Sequence, residues 1–399
     1  TPTGRPYFGP LNDDLAADVV FPVAVGVVSL LGEGRSLDPF AYTSIPLPED
    51  QTRVVMAAVE AVEDIDSEVL RIAGTQMHYQ GSLQPPRNLP AGMNSANLAT
   101  SRLATGRLDG NRWSGIDDPT DELALAFLGA GQVHIYSPSG TDLVLNTLDI
   151  VPTATVTLPA NHFVGRGGAH FGYFDQDGCL DLLITFSTTA GGGTCVGKTC
   201  EGFAIARGQK SDLTPGTVDD YASQTCTGTL DSVGRVQFVA RPDALTDPAP
   251  PFTVLEAADF DSDGVDDIVT QSVIYRLDCA ADGDGACNGS NGDVLNREFR
   301  LFTPSPWEEA TATDINGDGR VDIAASREGI DGVDVMLGAG FGLFNRYAVD
   351  TDSPVSVIRT GDFDGDLYLD VAIVEPGAAQ GGFDRLSIIF GNAAGGPSA

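Results

Sequence analysis

The sequence predicts an all-β protein, a seven-bladed β-propeller built from one repeated unit. Three observations carry this. An acidic nine-residue motif recurs along the chain, a short apolar run rich in β-branched residues follows the clearest copies, and the acidic excess is mostly aspartate, with 43 Asp against 13 Glu. Asp favours turns and caps, whereas Glu is the better helix former, so the skew argues against a helical protein. Short strands repeating at about 50 residues point to a propeller rather than a sandwich.

The three full copies of the motif align without gaps: Asp259-Phe-Asp-Ser-Asp-Gly-Val-Asp-Asp267, Asp314-Ile-Asn-Gly-Asp-Gly-Arg-Val-Asp322 and Asp362-Phe-Asp-Gly-Asp-Leu-Tyr-Leu-Asp370. They lead into Ile268-Val-Thr, Ile323-Ala-Ala and Val371-Ala-Ile-Val. A fourth copy, Tyr173-Phe-Asp-Gln-Asp-Gly-Cys-Leu-Asp181, has lost the first carboxylate and precedes Leu182-Leu-Ile-Thr-Phe. Weaker copies run from Pro10 to Asp18 and from Arg107 through an insertion to Asp121, and a degenerate one spans Glu60 to Glu68. The repeat loops therefore start at 10, 60, 107, 173, 259, 314 and 362, within one domain covering residues 1–399.

A second element follows each motif. Gly26–Gly34, Val133–Tyr136, Phe203–Gly208, Val333–Gly340 and Leu386–Gly391 occupy similar offsets, several of them ending in a Gly-rich turn. The unit is thus strand, acidic loop, strand, turn, strand, Gly-rich turn and a further strand. A strand near Tyr7-Phe8 is expected to complete the last blade. The long interval from 173 to 259 reads as one blade with an insertion near 190–230, and an eighth blade hidden there is the alternative.

In the pattern Asp-x-Asp/Asn-x-Asp-Gly-x-x-Asp, oxygens at positions 1, 3 and 5 converge when the chain curls, Gly at position 6 permits the sharp turn, and the last Asp reaches back from the next strand. Hard oxygens in a flexible loop suit Ca2+ better than Mg2+. The flanks are strands and the ninth residue is Asp, so this is not an EF-hand. Three sites are expected, with a fourth at Asp175, Asp177 and Asp181. The weaker copies, with Asn12, Asp14 and Asp18, and Asp109, Asn111 and Asp121, read as relict turns.

These loops, together with the Leu-Gly-x-Gly turns, resemble the FG-GAP/VCBS repeat, the blade unit of integrin-α-type propellers and of many secreted bacterial proteins. The resemblance covers most of the chain and is weakest from Gln51 to Met93. It implies a seven-bladed propeller with Ca2+ in several blade loops near one face. It also implies that Asp259, Asp261, Asp263 and Asp267 are ligands, with Asp314, Asn316, Asp318 and Asp322, and Asp362, Asp364, Asp366 and Asp370. Leu367 departs from the pattern, which has Gly there, and Tyr173 departs at position 1 of the fourth copy.

The six cysteines include two close pairs, Cys195/Cys200 and Cys279/Cys287, the latter in an insertion near 279–287. Neither spacing is a zinc pattern, so local disulfides are expected, with Cys179 and Cys226 left to pair by elimination. Disulfides imply an oxidising compartment, and the start at Thr1, without Met, reads as either a processed mature chain or a trimmed one, so a signal peptide could have been lost. A net charge of -34, with only Lys198 and Lys210 as lysines, argues against nucleic acid and anionic membranes. No apolar run is long enough to cross a bilayer.

His170, Arg166 and Tyr173 could face a central channel together, as in propeller-shaped polysaccharide lyases, although turn and packing roles account for them more simply. Trp113 and Trp307 read as exposed loop aromatics, able to stack on a sugar or anchor a protein, or equally to act as a local plug. His134 reads as a strand residue, and Asn288-Gly-Ser290 is an N-glycosylation sequon. The function expected is binding: a secreted or cell-surface, calcium-stabilised propeller acting as an adhesion module for protein or glycan. Alternatives are a structural subunit of an extracellular filament or surface layer, where self-assembly would operate, and a lyase-like polysaccharide-active enzyme.

Overall fold

The computed structural model describes residues 7–9, 18–23, 26–32, 37–43, 54–59, 68–79, 87–89, 91, 93–98, 104–108, 122–136, 138–139, 147–148, 152–174, 178–188, 201–210, 226–231, 235–238, 253–271, 273–277, 295–300, 306–340, 343–364, 366–375 and 385–391. Among them there is no α-helix, and one 3-10 turn at Ser95–Asn97. The strands form six four-stranded sheets, one three-stranded sheet and two two-stranded ribbons. The fold is all-β and propeller-like.

The first sheet comprises Tyr7–Gly9, Asp18–Val23, Gly26–Gly32 and Leu37–Thr43, and the second Val54–Val59, Glu68–Ala73, Gln76–Tyr79 and Arg87–Asn88. The third contains Ala104–Gly106, Glu122–Ala126, Gln132–Tyr136 and Ala154–Thr157. The fourth is His162–Gly172, Asp181–Thr188, Glu201–Ala206 and Arg235–Phe238, and the fifth Val254–Ala258, Asp267–Thr270, Val273–Leu277 and Leu295–Arg300. The sixth has Trp307–Thr313, Asp322–Arg327, Val333–Gly340 and Leu343–Val349, and the seventh Val357–Gly361, Asp370–Glu375 and Arg385–Ile389. Within every sheet the strands lie side by side in sequence order and pair antiparallel, with a two-stranded ribbon inserted before the fourth strand of the third and of the fourth sheet.

Burial is graded across the sixth sheet. Asp322–Arg327 and Asp370–Glu375 are buried at every position, which explains why their centres, Ile323 to Ala325 and Val371 to Val374, are apolar without alternation: both faces are covered. The fourth strand of the sixth sheet, Leu343–Val349, is largely exposed and correspondingly mixed in character. Apolar clusters fill the spaces between successive sheets. Leu183, Phe203 and Ile205 pack with Val254, Val265 and Ile268 between the fourth and fifth. Leu255, Phe260 and Ile274 pack with Trp307, Ile323 and Met336 between the fifth and sixth. The opening strands of consecutive sheets lie beside one another, and Val357–Gly361 also lies beside Tyr7–Gly9. On that side Val19 packs with Val357, Phe363, Ala372 and Val374.

Two expectations are corrected. Tyr7–Gly9 does not complete the last sheet. It opens the first, pairing Tyr7 with Val20 and Gly9 with Asp18. The reason is local: the loop that follows it closes a hairpin onto the next strand, a cheap closure compared with pairing across the whole chain. Trp307 is not a surface aromatic. It is fully buried, and its Nε1–H donates to Asp334 Oδ2 at 3.1 Å, so the indole is both packed and satisfied.

Candidate metal centres

Each acidic loop begins where the first strand of a sheet ends and finishes where the second begins. The three full loops join Ala258 to Asp267, Thr313 to Asp322 and Gly361 to Asp370. All three curl in the same way. Position 4 lies in the left-handed region in the first two, at Ser262 (φ 63°) and Gly317 (φ 70°). Position 6 does so in all three, at Gly264 (φ 90°), Gly319 (φ 81°) and Leu367 (φ 72°). Leu367 thus adopts the glycine conformation with a side chain 86% exposed, so the turn survives the departure from the pattern.

The position-1 carboxylate organises the curl. Asp259 accepts from the N–H groups of Asp263 at 3.1 Å and Gly264 at 2.9 Å. Asp314 accepts from Asp318 at 3.0 Å and Gly319 at 2.7 Å, and Asp362 from Asp366 at 3.1 Å and Leu367 at 2.9 Å. Position 5 then accepts from position 7: Asp263 from Val265 at 2.9 Å, Asp318 from Arg320 at 3.0 Å, and Asp366 from Tyr368 at 3.0 Å. Asn316 Oδ1 accepts from Asp318 N–H at 3.0 Å.

The ninth residue is wholly buried and does something the sequence reading missed. Asp322 Oδ2 accepts from Ile315 N–H at 2.9 Å, and its Oδ1 accepts from Gly338 N–H at 2.7 Å. Asp370 bonds Phe363 and Gly391 N–H, each at 2.8 Å, and Asp181 bonds Phe174 and Gly208 N–H, each at 2.8 Å. Each carboxylate therefore clasps its own loop to the Gly-rich turn at the end of the third strand. A Cβ on Gly338 would come within 2.6 Å of Val321 O, and one on Gly391 within 2.4 Å of Leu369 O, which is why the turn carries glycine. In the third sheet Glu122 makes the first of these two bonds, accepting from Leu108 N–H at 2.8 Å. The available signal was the pairing of the acidic motif with a Gly-rich turn in the repeats at 173, 314 and 362.

Two groups of three carboxylates converge, with ligand oxygens within 4.8 Å of one another: Asp259, Asp261 and Asp263, and Asp362, Asp364 and Asp370. Asp261 Oδ1 is buried and accepts no hydrogen bond. Burial pushes Asp322 and Asp370 up to about 6, against the downward pull of their backbone N–H donors. The donor set is all hard oxygen, and each carboxylate keeps lone pairs beyond its N–H bonds. These residues fit a hard divalent cation of the calcium type.

In the fourth copy Asp181 is placed as above and Gly178 is left-handed (φ 79°), whereas Asp175 and Asp177 lie outside the described residues. So do Cys195, Cys200, Cys279, Cys287, Trp113, the sequon and the relict-loop residues Asn12, Asp14, Asp109, Asn111 and Asp121. Cys179 and Cys226 form a disulfide across a sequence separation of 47. It fastens the fourth acidic loop to the ribbon of Gly208–Lys210 with Cys226–Leu230, an insertion between the third and fourth strands of that sheet. His170 Nε2 lies 2.9 Å from the Gly167 carbonyl, inside the register shift between Val164 and Ala169, so it braces its own strand's bulge. Arg166 is exposed, whereas Tyr173 packs partly against the core between the third and fourth sheets.

No protein-family model matches the chain, and no curated protein is similar to it in sequence. Solved structures are similar. An Agrocybe aegerita lectin, described for specific recognition of non-reducing terminal N-acetylglucosamine, is 13% identical with a TM-score of 0.50, over 93% of this chain and 89% of the lectin. BBS1N, solved in complex with ARL6DN, is 9% identical with a TM-score of 0.49, over 94% and 90%. A luciferin-regenerating enzyme is 10% identical with a TM-score of 0.38, over 84% and 91%. At this identity the lectin shares a fold and nothing finer. Among the described residues no helix is long and apolar enough to cross a membrane.

Proposed function

We propose that this chain is a calcium-stabilised, seven-bladed β-propeller of the FG-GAP/VCBS kind that works outside the cell as a binding module for protein or glycan. The observation that carries the reading is the set of acidic cages between first and second strands, with Asp261 Oδ1 buried among carboxylates and lacking a donor. Seven blades are supported by the sheet order and by the contact of the seventh sheet with the first. Among the described residues between Ala206 and Arg235 the strands form a two-stranded ribbon, which supports the insertion over an eighth blade. The Cys179–Cys226 disulfide supports an oxidising, extracellular setting. Asp259, Asp261, Asp263 and Asp267 would hold one ion, Asp314, Asn316, Asp318 and Asp322 a second, and Asp362, Asp364, Asp366 and Asp370 a third, and the ions would supply the positive charge that lets the loops pack.

A glycan or protein partner is supported by the acidity, which disfavours nucleic acid, and by the lectin of like fold. The test has two steps. Stripping Ca2+ with a chelator is expected to lower the melting temperature by roughly 10 °C or more, since several sites each contribute by mass action; an unchanged curve sinks the calcium reading. A screen against glycans and extracellular proteins is expected to give hits that fade with chelator. Turnover of an acidic polysaccharide would instead favour the enzyme.

A further inference from the structure

The three full loops are not equivalent. In the fifth sheet Ile268 pairs with Tyr275, so the next residue on the third strand, Arg276, stands across from Asp267. The same step beyond Ile323–Met336 in the sixth sheet reaches Leu337, and beyond Val371–Ile389 in the seventh it reaches Phe390. One loop therefore faces a guanidinium and the other two face apolar side chains. The guanidinium of Arg276 is in direct contact with the Asp261 carboxylate, whose side chain is only 5% exposed. Arg320 also reaches an acidic loop, at Asp318 Oδ2, but at 3.3 Å and with its side chain 51% exposed, where solvent screens the pair.

A carboxylate buried beside Asp259 and Asp263 needs a positive partner, and an arginine cannot discharge itself to escape the site. We propose that Arg276 is a tethered counter-ion of the Asp259–Asp267 loop, and that a divalent cation enters this loop only in exchange for it. The proposal rests on the calcium reading above. It makes this loop the weakest of the three for Ca2+, held together by the protein's own cation when calcium is scarce. The other two loops have no such substitute at the same register position.

The test uses the full chain, stripped of divalent ions and titrated with CaCl2 by calorimetry. Arg276→Met keeps the stem and removes the charge and the fork. Arg385→Met is the charge-matched control: Arg385 pairs with Asp352 and Glu375, at the opposite end of its strand from the acidic loop. Arg276→Met is expected to tighten the weakest calcium site about tenfold, the equivalent of removing one partly screened competing charge. The same variant is expected to melt earlier than wild type in chelator and to recover in Ca2+, whereas Arg385→Met changes neither the isotherm nor this recovery. Arg276→Gln is the second variant if the methionine form does not fold. Calcium uptake that neither variant alters overturns the exchange and leaves the calcium reading standing. No uptake by any of the proteins overturns both.

Discussion

Asp261, Asp322 and Leu367 each illustrate how a single side chain is judged by what its position denies it. Asp261 Oδ1 is withdrawn from water without a donor, a cost that a bound cation or a counter-ion removes. Leu367 sits at φ 72°, where the Cβ of an L-residue clashes with its own backbone at a cost of about 1–2 kcal/mol. Being 86% exposed, its side chain returns little packing. Leu367→Gly is therefore expected to raise stability by roughly 0.5–1 kcal/mol, the relief of strain being partly offset by the freer unfolded chain. A denaturation midpoint that does not move, or moves down, would refute this.

Elements are joined by the buried ninth residue. Asp322 links the loop that precedes its own strand to Gly338 on the next one, so a single carboxylate fixes two turns. Asp322→Ala would strand the N–H groups of Ile315 and Gly338, both served by a buried acceptor. A loss of about 3 kcal/mol is expected, with Asp322→Asn costing less because it keeps one acceptor oxygen. Equal losses for the two variants, in urea unfolding, would show that the bracket is not the cause. The sixth sheet has a second buried acid of this kind: Asp334 takes the Trp307 indole N–H and a bond of 2.7 Å from Arg346 Nη2. A further polar tie crosses between opening strands, where Arg359 Nη1 meets Glu309 Oε1 at 2.5 Å.

For the molecule as a whole, the acid loops couple stability to pH and to calcium. Asp322 and Asp370 are raised from 3.8 to about 6, so the folded state favours their protonated forms. The stability they contribute is present below about pH 4 and is lost as pH rises through about 6. In chelator, wild type is therefore expected to lose ground to Asp322→Asn as pH is raised from 4 to 6, since asparagine mimics the protonated acid. A bound cation favours the ionised carboxylates, so in Ca2+ the trend reverses. Thermal melts at matched ionic strength measure both arms, and a pH-independent difference in chelator would refute the assignment. The total charge of -34 adds to the repulsion that the cations would relieve.

How much of this was legible depends on the range of the interaction. Period, strand character and the curl of the loops are local: the spacing of Asp259, Asp261, Asp263 and Gly264 alone dictates where the chain turns and which oxygens converge. The sequence by itself determined that the protein is all-β, that its unit recurs, and that its acidity is concentrated where strands meet. Only the tertiary structure decided that Trp307 is a core residue, that Tyr7–Gly9 opens a sheet, that the ninth carboxylate clasps the following Gly turn, and that Arg276 sits on one acidic loop and on neither of its two equivalents. The reason is that these facts depend on register and on packing between sheets. A side chain's neighbours across a sheet are chosen by pairing that a one-residue shift would reverse, and no local pattern records that choice.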